Sequence, residues 1–206
     1  MGAQLVWYAS YASNMNRERF MCYVQGGLAS GGARSQIGCT DQSEPLADTP
    51  MALPYELYFA GNSEVWSGGG VAFVTHNSQG AFTKGRAYLI TWRQFEEIAA
   101  QESFRGHVAI DLAAVRAKKH LTIGQTNCKY DEALYCGEFE HYPVVTFTSP
   151  LPQQVPAMPK PNYVKMIGLG LIETYGWETE EAAIYLAARP GVRDYYSVAD
   201  MTQLLS

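Results

Sequence analysis

Val6-Trp7-Tyr8-Ala9-Ser10-Tyr11-Ala12-Ser13-Asn14-Met15 is the stretch of this 206-residue chain that decides its fold. Its apolar and aromatic first half predicts a β-strand over residues 5–11. Small and polar residues end that strand, and a helix is predicted directly behind them, over residues 16–25. A strand that turns at once into a helix directs free backbone N–H groups towards whatever lies over its end. The turn is therefore a candidate anion site, with plain helix capping by Asn14 or Asn16 as the alternative.

One carboxylate far downstream is the candidate catalytic group. The capping-box pattern Thr91-Trp92-Arg93-Gln94 predicts a helix over residues 92–102. Glu102 lies four residues after Ile98 and continues the apolar stripe of that helix. Burial raises the pKa of a carboxyl group towards neutrality, which suits a general acid/base. Alternatively, the helix ends there and Glu102 reaches solvent or pairs with Arg105.

The order of the remaining elements predicts an α+β domain built on one curved, mixed sheet. Further strands are predicted over residues 53–60, 70–75, 83–90, 133–138 and 142–148, and tail helices over residues 162–175, 178–188 and 198–205. Residues 28–51 are predicted to form a long loop. The three glycines Gly68-Gly69-Gly70 form either a tight corner or a close approach to a pocket. The whole chain, 1–206, is predicted to be a single domain.

Composition excludes several classes of function. A net charge of −5 and a pI near 5.4 argue against a nucleic-acid partner. No segment has the pattern of a membrane span or of a signal peptide, so we predict a cytoplasmic protein without membrane contact. The four cysteines and four histidines show no metal-site spacing, and we therefore predict no metal.

Four short motifs together resemble the γ-glutamylcyclotransferase-like family. They are Tyr11-Ala12-Ser13-Asn14-Met15, Trp66-Ser67-Gly68-Gly69, Gln101-Glu102 and the spacing from Pro159 to Tyr163. Each motif is weak alone, but their order and spacing over residues 6–176 are fairly specific. The resemblance implies a small, strongly curved, β-barrel-like sheet flanked by helices, with a pocket at one end.

The resemblance also implies a reaction. The α-amine of a γ-glutamyl amide attacks its own γ-carbonyl, which gives 5-oxoproline and expels an amine, with Glu102 as general acid/base and without a cofactor. The substrate-binding residues implied are Tyr11, Ala12, Ser13, Asn14, Met15, Trp66, Gly69 and Tyr163. Ala12 stands where the family usually has glycine, so a positive φ there would be strained. A non-catalytic small-molecule binding or regulatory module on the same fold is the alternative function, and a homodimer is compatible with either.

Overall fold

The computed structural model describes residues 3–30, 34–66, 68–77, 80, 82–124, 129–151 and 155–206. Its strands are β1 (Leu5–Ser10), β2 (Ala47–Leu53), β3 (Leu57–Ala60), β4 (Val71–Val74), β5 (Thr83–Thr91), β6 (His120–Thr122), β7 (Glu132–Phe139) and β8 (Tyr142–Thr148). Its helices are α1 (Arg17–Gln25), α2 (Trp92–Glu102), α3 (Leu112–Lys118), α4 (Pro161–Tyr175), α5 (Thr179–Ala187) and α6 (Val198–Leu205). Short 3-10 turns span Ser13–Met15 and Glu64–Trp66.

The main sheet has six strands in the order β2-β5-β1-β8-β7-β6. β1 pairs antiparallel with β5 and parallel with β8, so the sheet is mixed, as predicted. β3 and β4 form a separate antiparallel hairpin. The main sheet is open, since β2 and β6 lie at opposite edges and do not pair with each other. The α+β prediction is confirmed, whereas "barrel-like" overstates the closure of the sheet.

Both faces of β1 are buried in apolar cores. Trp7 and Ala9 belong to a core that also holds the β3–β4 hairpin and helices α4 to α6. Val6 and Tyr8 point to the opposite side, into a core shared with α1, α2 and α3. A strand that is covered on both faces must be apolar at successive positions, which is why this run lacks the polar alternation of a surface strand.

The helix that carries Glu102 has the predicted bounds. The hydroxyl of Thr91 accepts a hydrogen bond from the backbone N–H of Gln94, and the Gln94 side chain accepts one from the backbone N–H of Thr91. This reciprocal pair satisfies two N–H groups at the helix start. Phe95 and Ile98 are fully buried, so the apolar stripe faces the core as predicted. None of the described helices has the length and apolar character needed to cross a bilayer.

Two sequence predictions need correction. The loop predicted over residues 28–51 is shorter, because Ala47–Leu53 is an edge strand that pairs with β5. Its polar residues and Pro50 read as loop, yet an edge strand tolerates a proline. The strand predicted over residues 53–60 is in fact the end of β2, a short connection and β3. Helix α3 and strand β6 were not predicted. Residues 31–33 of the loop and Ser67 of the Trp-Ser-Gly-Gly motif lie outside the described residues.

The turn behind β1 is clamped from two sides. The hydroxyl of Tyr88 donates hydrogen bonds to the backbone carbonyls of Asn14 (2.9 Å) and Met15 (3.2 Å). On the other side, α4 presents Gly170, and a Cβ atom there would lie 2.6 Å from the backbone nitrogen of Asn16. The close approach of α4 to this turn therefore depends on the missing side chain.

Replacing Gly170 by alanine tests this contact. The added Cβ would also lie 2.8 Å from the Cβ of Met15, so the turn or the helix must shift. Overpacking of this kind costs about 1–3 kcal/mol, against a gain of about 1 kcal/mol in helix propensity. We expect a net loss in the free energy of unfolding, measured by urea titration.

Gly168→Ala on the same helix is the matched control. The three nearest atoms to a Cβ at this position all belong to the side chain of Leu205, which can change rotamer. A loss for Gly168→Ala as large as that for Gly170→Ala would contradict the proposed contact between α4 and the turn.

Candidate functional site

A cavity of about 730 Å³ lies at the carboxyl end of β1. The predicted residues that line it are Tyr11, Ala12, Ser13, Asn14, Trp66, Glu102 and Tyr163. They come from the segment directly behind β1, from the ends of α2 and the 64–66 turn, and from α4. Four segments far apart in the chain thus meet at one place. The volume is in the range typical of small-molecule sites.

Met15 and Gly69, also predicted as binding residues, are not part of this lining. Met15 is completely buried and packs beneath the turn, against Gly170 of α4. Gly69 has φ +84°, and a Cβ there would lie 2.8 Å from the carbonyl oxygen of Met158. Position 69 therefore needs glycine because the backbone forms a tight corner there. This is the first of the two alternatives given for the three-glycine run. Both residues lie outside the cavity lining, and their role in binding stays a prediction.

Capping and site formation are divided between two asparagines. Asn16 caps α1, since its Oδ1 accepts a hydrogen bond from the backbone N–H of Arg19 at 3.0 Å. Asn14 instead donates through Nδ2 to Glu102 Oε1 at 3.0 Å and to the Tyr8 hydroxyl at 3.3 Å. Oδ1 of Asn14 is buried and has no hydrogen-bond partner in the part of the chain that the structure describes. Asn16 is thus the residue that caps the helix, and the Asn14 side chain is part of the cavity wall.

The backbone of the turn suits its unusual alanine. Ala12 has φ −122°, so alanine is unstrained where the resembling family has glycine, and its methyl group only narrows the cavity floor. The amides of Ala12, Ser13 and Asn14 donate to no backbone carbonyl within the part of the chain that the structure describes. Three consecutive amides are therefore available to an acceptor in the cavity.

Glu102 is half-buried and presents its carboxylate to the cavity. Burial raises the pKa of Glu102 above its usual value, and the charge of Arg19 with hydrogen bonds from Tyr23 and Asn14 offsets part of that rise. Arg105, the alternative partner, forms its ion pair with Asp131 at 2.8 Å instead. Glu102 therefore combines a place in the cavity wall with a raised pKa, and general acids and bases in proteins share these two properties.

Arg19 is the main cavity residue that the sequence reading missed. It is only 2% exposed, yet it lines the cavity. Its Nη2 donates to the Tyr23 hydroxyl at 3.2 Å, and its guanidinium lies over the rings of Tyr23 and Trp66 at 5.1 and 5.5 Å. The signal available in the sequence was the spacing of four between Arg19 and Tyr23, which places both on one face of α1.

Two tyrosines shape the wall opposite the turn. The hydroxyl of Tyr163 accepts a hydrogen bond from the backbone N–H of Ala72 at 3.1 Å, and the Tyr130 hydroxyl donates to the Ala72 carbonyl at 3.0 Å. Burial raises the pKa of Tyr163 to about 12, so its hydroxyl stays neutral. Trp66 packs on Tyr163 with ring centroids 4.9 Å apart. Tyr130 reaches the site from a segment that the sequence pattern left unassigned.

Comparison with solved structures identifies the fold. A γ-glutamyl cyclotransferase is similar with a TM-score of 0.52 and 17% identity, over 97% of this chain and 99% of that one. The crystal structure of an uncharacterized human protein gives a TM-score of 0.53 and 17% identity over the same shares. The chain therefore has the γ-glutamyl cyclotransferase fold, and that prediction is confirmed.

Sequence comparison adds one relative. The chain is 31% identical over 198 residues to histone deacetylase 5 of Arabidopsis thaliana. The matched region covers 88% of this chain and 30% of the plant protein. The chain thus spans less than a third of the length of that relative. No family model matches the chain.

Glu102→Gln should change the pH dependence of stability in a definite direction. A carboxyl whose folded pKa is raised stabilises fully below its unfolded pKa, and this contribution is lost as the pH rises through the folded pKa. Glutamine carries no such charge. We therefore expect Glu102→Gln to match the wild type at low pH and to exceed it increasingly as the pH rises, measured by urea unfolding across a pH series.

Glu97→Gln on the same helix should show the opposite sign. Burial alone would raise the pKa of Glu97, but hydrogen bonds from Thr40 and the charge of Arg93 outweigh it and hold the pKa below its usual value. The stability from Glu97 is present above its unfolded pKa and is lost as the pH falls. Glu97→Gln should therefore be less stable than the wild type at neutral pH. The same sign for both variants would contradict the assigned environments.

The different roles of the two asparagines, capping by Asn16 and hydrogen bonding to Glu102 by Asn14, can be measured separately. Asn14→Ala removes a donor that favours the ionised form of Glu102, so the pKa of Glu102 should rise further. Carbon NMR of the labelled carboxyl group measures this pKa. Asn16→Ala removes the cap of α1 and should lower the free energy of unfolding by about 1 kcal/mol while leaving that pKa unchanged. A pKa shift in Asn16→Ala alone would reverse the assignment.

Proposed function

We propose that this protein is a γ-glutamyl cyclotransferase-type enzyme that releases an amine or amino acid from a γ-glutamyl amide and forms 5-oxoproline. One observation carries the proposal. Glu102, a carboxylate with a raised pKa, is held by Asn14 beside the free amides of a strand-end turn, in a cavity of about 730 Å³. The shared fold supports the same reaction class.

The reaction needs one group that moves protons. The α-amine forms a bond to the γ-carbonyl carbon, and the bond from that carbon to the leaving nitrogen breaks. Glu102 accepts a proton from the attacking amine and returns one to the leaving nitrogen, so no water, metal or redox partner enters the balance. A raised pKa brings the carboxyl closer to the amine in proton affinity, which favours both transfers.

Holding the substrate in attack geometry is the second contribution to the rate. Nucleophile and electrophile belong to one molecule, so the cavity has only to fold the substrate into attack geometry. The free amides of Ala12, Ser13 and Asn14 suit an oxygen on which negative charge develops. Oδ1 of Asn14, buried and without a partner, suits an N–H of the α-amine. These positions support the assignment of the turn to the glutamyl end of the substrate.

A non-catalytic binding module would fit a blocked cavity or a solvent-facing Glu102. Neither feature describes this site, because Ala12 narrows the floor without strain and Glu102 lines the cavity. Catalysis is therefore the better supported of the two functions. We further propose that the reaction takes place in the cytoplasm with a small-molecule substrate and without a metal or cofactor. A homodimer remains a separate proposal.

Product analysis tests the proposal. We expect the wild type to release 5-oxoproline from members of a panel of γ-glutamyl amines and peptides, detected by mass spectrometry. Glu102→Gln should lose about 10²- to 10⁴-fold in turnover, the usual contribution of a general base, while it stays folded.

Glu97→Gln, the same change on the outer face of α2, should keep its activity. The absence of 5-oxoproline from the whole panel with folded wild type would overturn the proposal in favour of the binding module. Equal activity of Glu102→Gln and wild type would exclude Glu102 as the proton carrier.

A further inference from the structure

Arg19 is a buried cation in the cavity wall, and part of its hydrogen-bonding capacity is unused. Its Nε and Nη1 are buried and have no hydrogen-bond partner among the described residues, whereas Nη2 donates to the Tyr23 hydroxyl. Leaving the donors of a buried guanidinium unpaired is costly. The other buried arginine with a comparable exposure, Arg86, pairs with Asp48 and Glu173 at 2.7 Å each.

The nearest carboxylate does not satisfy Arg19. The ion pairs formed among the described residues do not join Arg19 to Glu102 within 4 Å, although both line the same cavity. Tyr23 stands between them, since it accepts from Arg19 and interacts with Glu102. The cavity wall therefore combines a cation that has unused donors with a carboxylate and with Oδ1 of Asn14, an acceptor that has no partner among the described residues.

The aromatic surroundings keep this cation in place without neutralising it. The rings of Tyr23 and Trp66 lie 5.1 and 5.5 Å from the guanidinium carbon, and such contacts are favourable for arginine. Neither ring supplies a negative charge. A ligand carboxylate would give the free N–H groups charge-assisted hydrogen bonds, which are among the stronger ones in proteins.

We propose that Arg19 binds the α-carboxylate of the substrate and makes a free carboxylate next to the reacting amine a requirement of this site. This inference rests on the proposed function and adds a residue to it: Arg19 recognises the free α-carboxylate that the substrate shares with the product 5-oxoproline. The α-amine then lies towards Glu102 and Asn14, and the amides of the strand-end turn are left for the γ-carbonyl oxygen. Arg19 is thus a specificity-determining residue that orients the nucleophile.

The test compares two substrates and three proteins. The probes are γ-glutamyl-4-nitroanilide and its α-carboxamide, which would give 5-oxoproline and 5-oxoprolinamide. The wild type should prefer the free carboxylate. In Arg19→Met we expect KM for the carboxylate to rise by about 10- to 100-fold, the loss of a charged hydrogen bond. KM for the carboxamide should change little, so the preference disappears.

Rates are compared on the high-pH plateau, where Glu102 is ionised in every variant. The acid limb of the pH profile gives a second readout, since the loss of the Arg19 charge should move it to higher pH. Arg17→Met is the matched control on the same helix. Arg17 pairs with Glu44 and Asp48 and does not line the cavity, so substrate preference and acid limb should stay unchanged.

Binding of the products separates the two proposals. Calorimetry with 5-oxoproline and 5-oxoprolinamide reports carboxylate recognition without turnover. Turnover by the wild type, with the carboxylate preference intact in folded Arg19→Met, would overturn the role of Arg19 and leave the proposed function standing. Carboxylate-selective binding that depends on Arg19, without turnover of any γ-glutamyl amide, would overturn the proposed function alone. Binding without carboxylate preference in the wild type would overturn the inference.

Discussion

The position of β1 in the middle of the sheet is the constraint on which the rest of the structure depends. It pairs with β5 on one side and β8 on the other, and each of its faces is covered by a core. The chain stays buried beyond the end of this strand, since Ser13 and Asn14 of the turn are 7% and 3% exposed. Polar groups of that turn must then find partners inside the protein or face a cavity. The site is the consequence of this requirement.

Two opposite charges share this interior without pairing. Glu102 carries a raised pKa because it is poorly solvated, and Arg19 keeps free donors although it is almost inaccessible. A sequence selected only for stability would place apolar side chains at such positions or join the two charges. Unpaired buried polar groups that converge on one cavity are the usual mark of a ligand site. The folded state thus holds the two groups apart, in positions that a zwitterionic ligand could bridge.

Local signals predicted much of the fold. The capping box at Thr91 and the apolar stripe of α2 placed the helix of Glu102 within its observed bounds, because both depend on residues three or four apart. Edge strand β2 escaped prediction because its polar residues pair only where β5 offers a free edge. Met15 and Gly69 lie outside the cavity lining, because a motif shows which residues recur near a pocket and not which of them line it.

The sequence by itself determined the central strand, the capped helices, the candidate carboxylate Glu102 and the turn containing Asn14, since these follow from periodicity, capping and local composition. Only the tertiary structure decided that Asn14 rather than Asn16 faces Glu102, that Ala12 is unstrained, and that Arg19 and Tyr130 complete the cavity. The reason is physical. Side-chain direction and burial are set by contacts between segments distant in the chain, and no local pattern records which side of a helix a distant strand will cover.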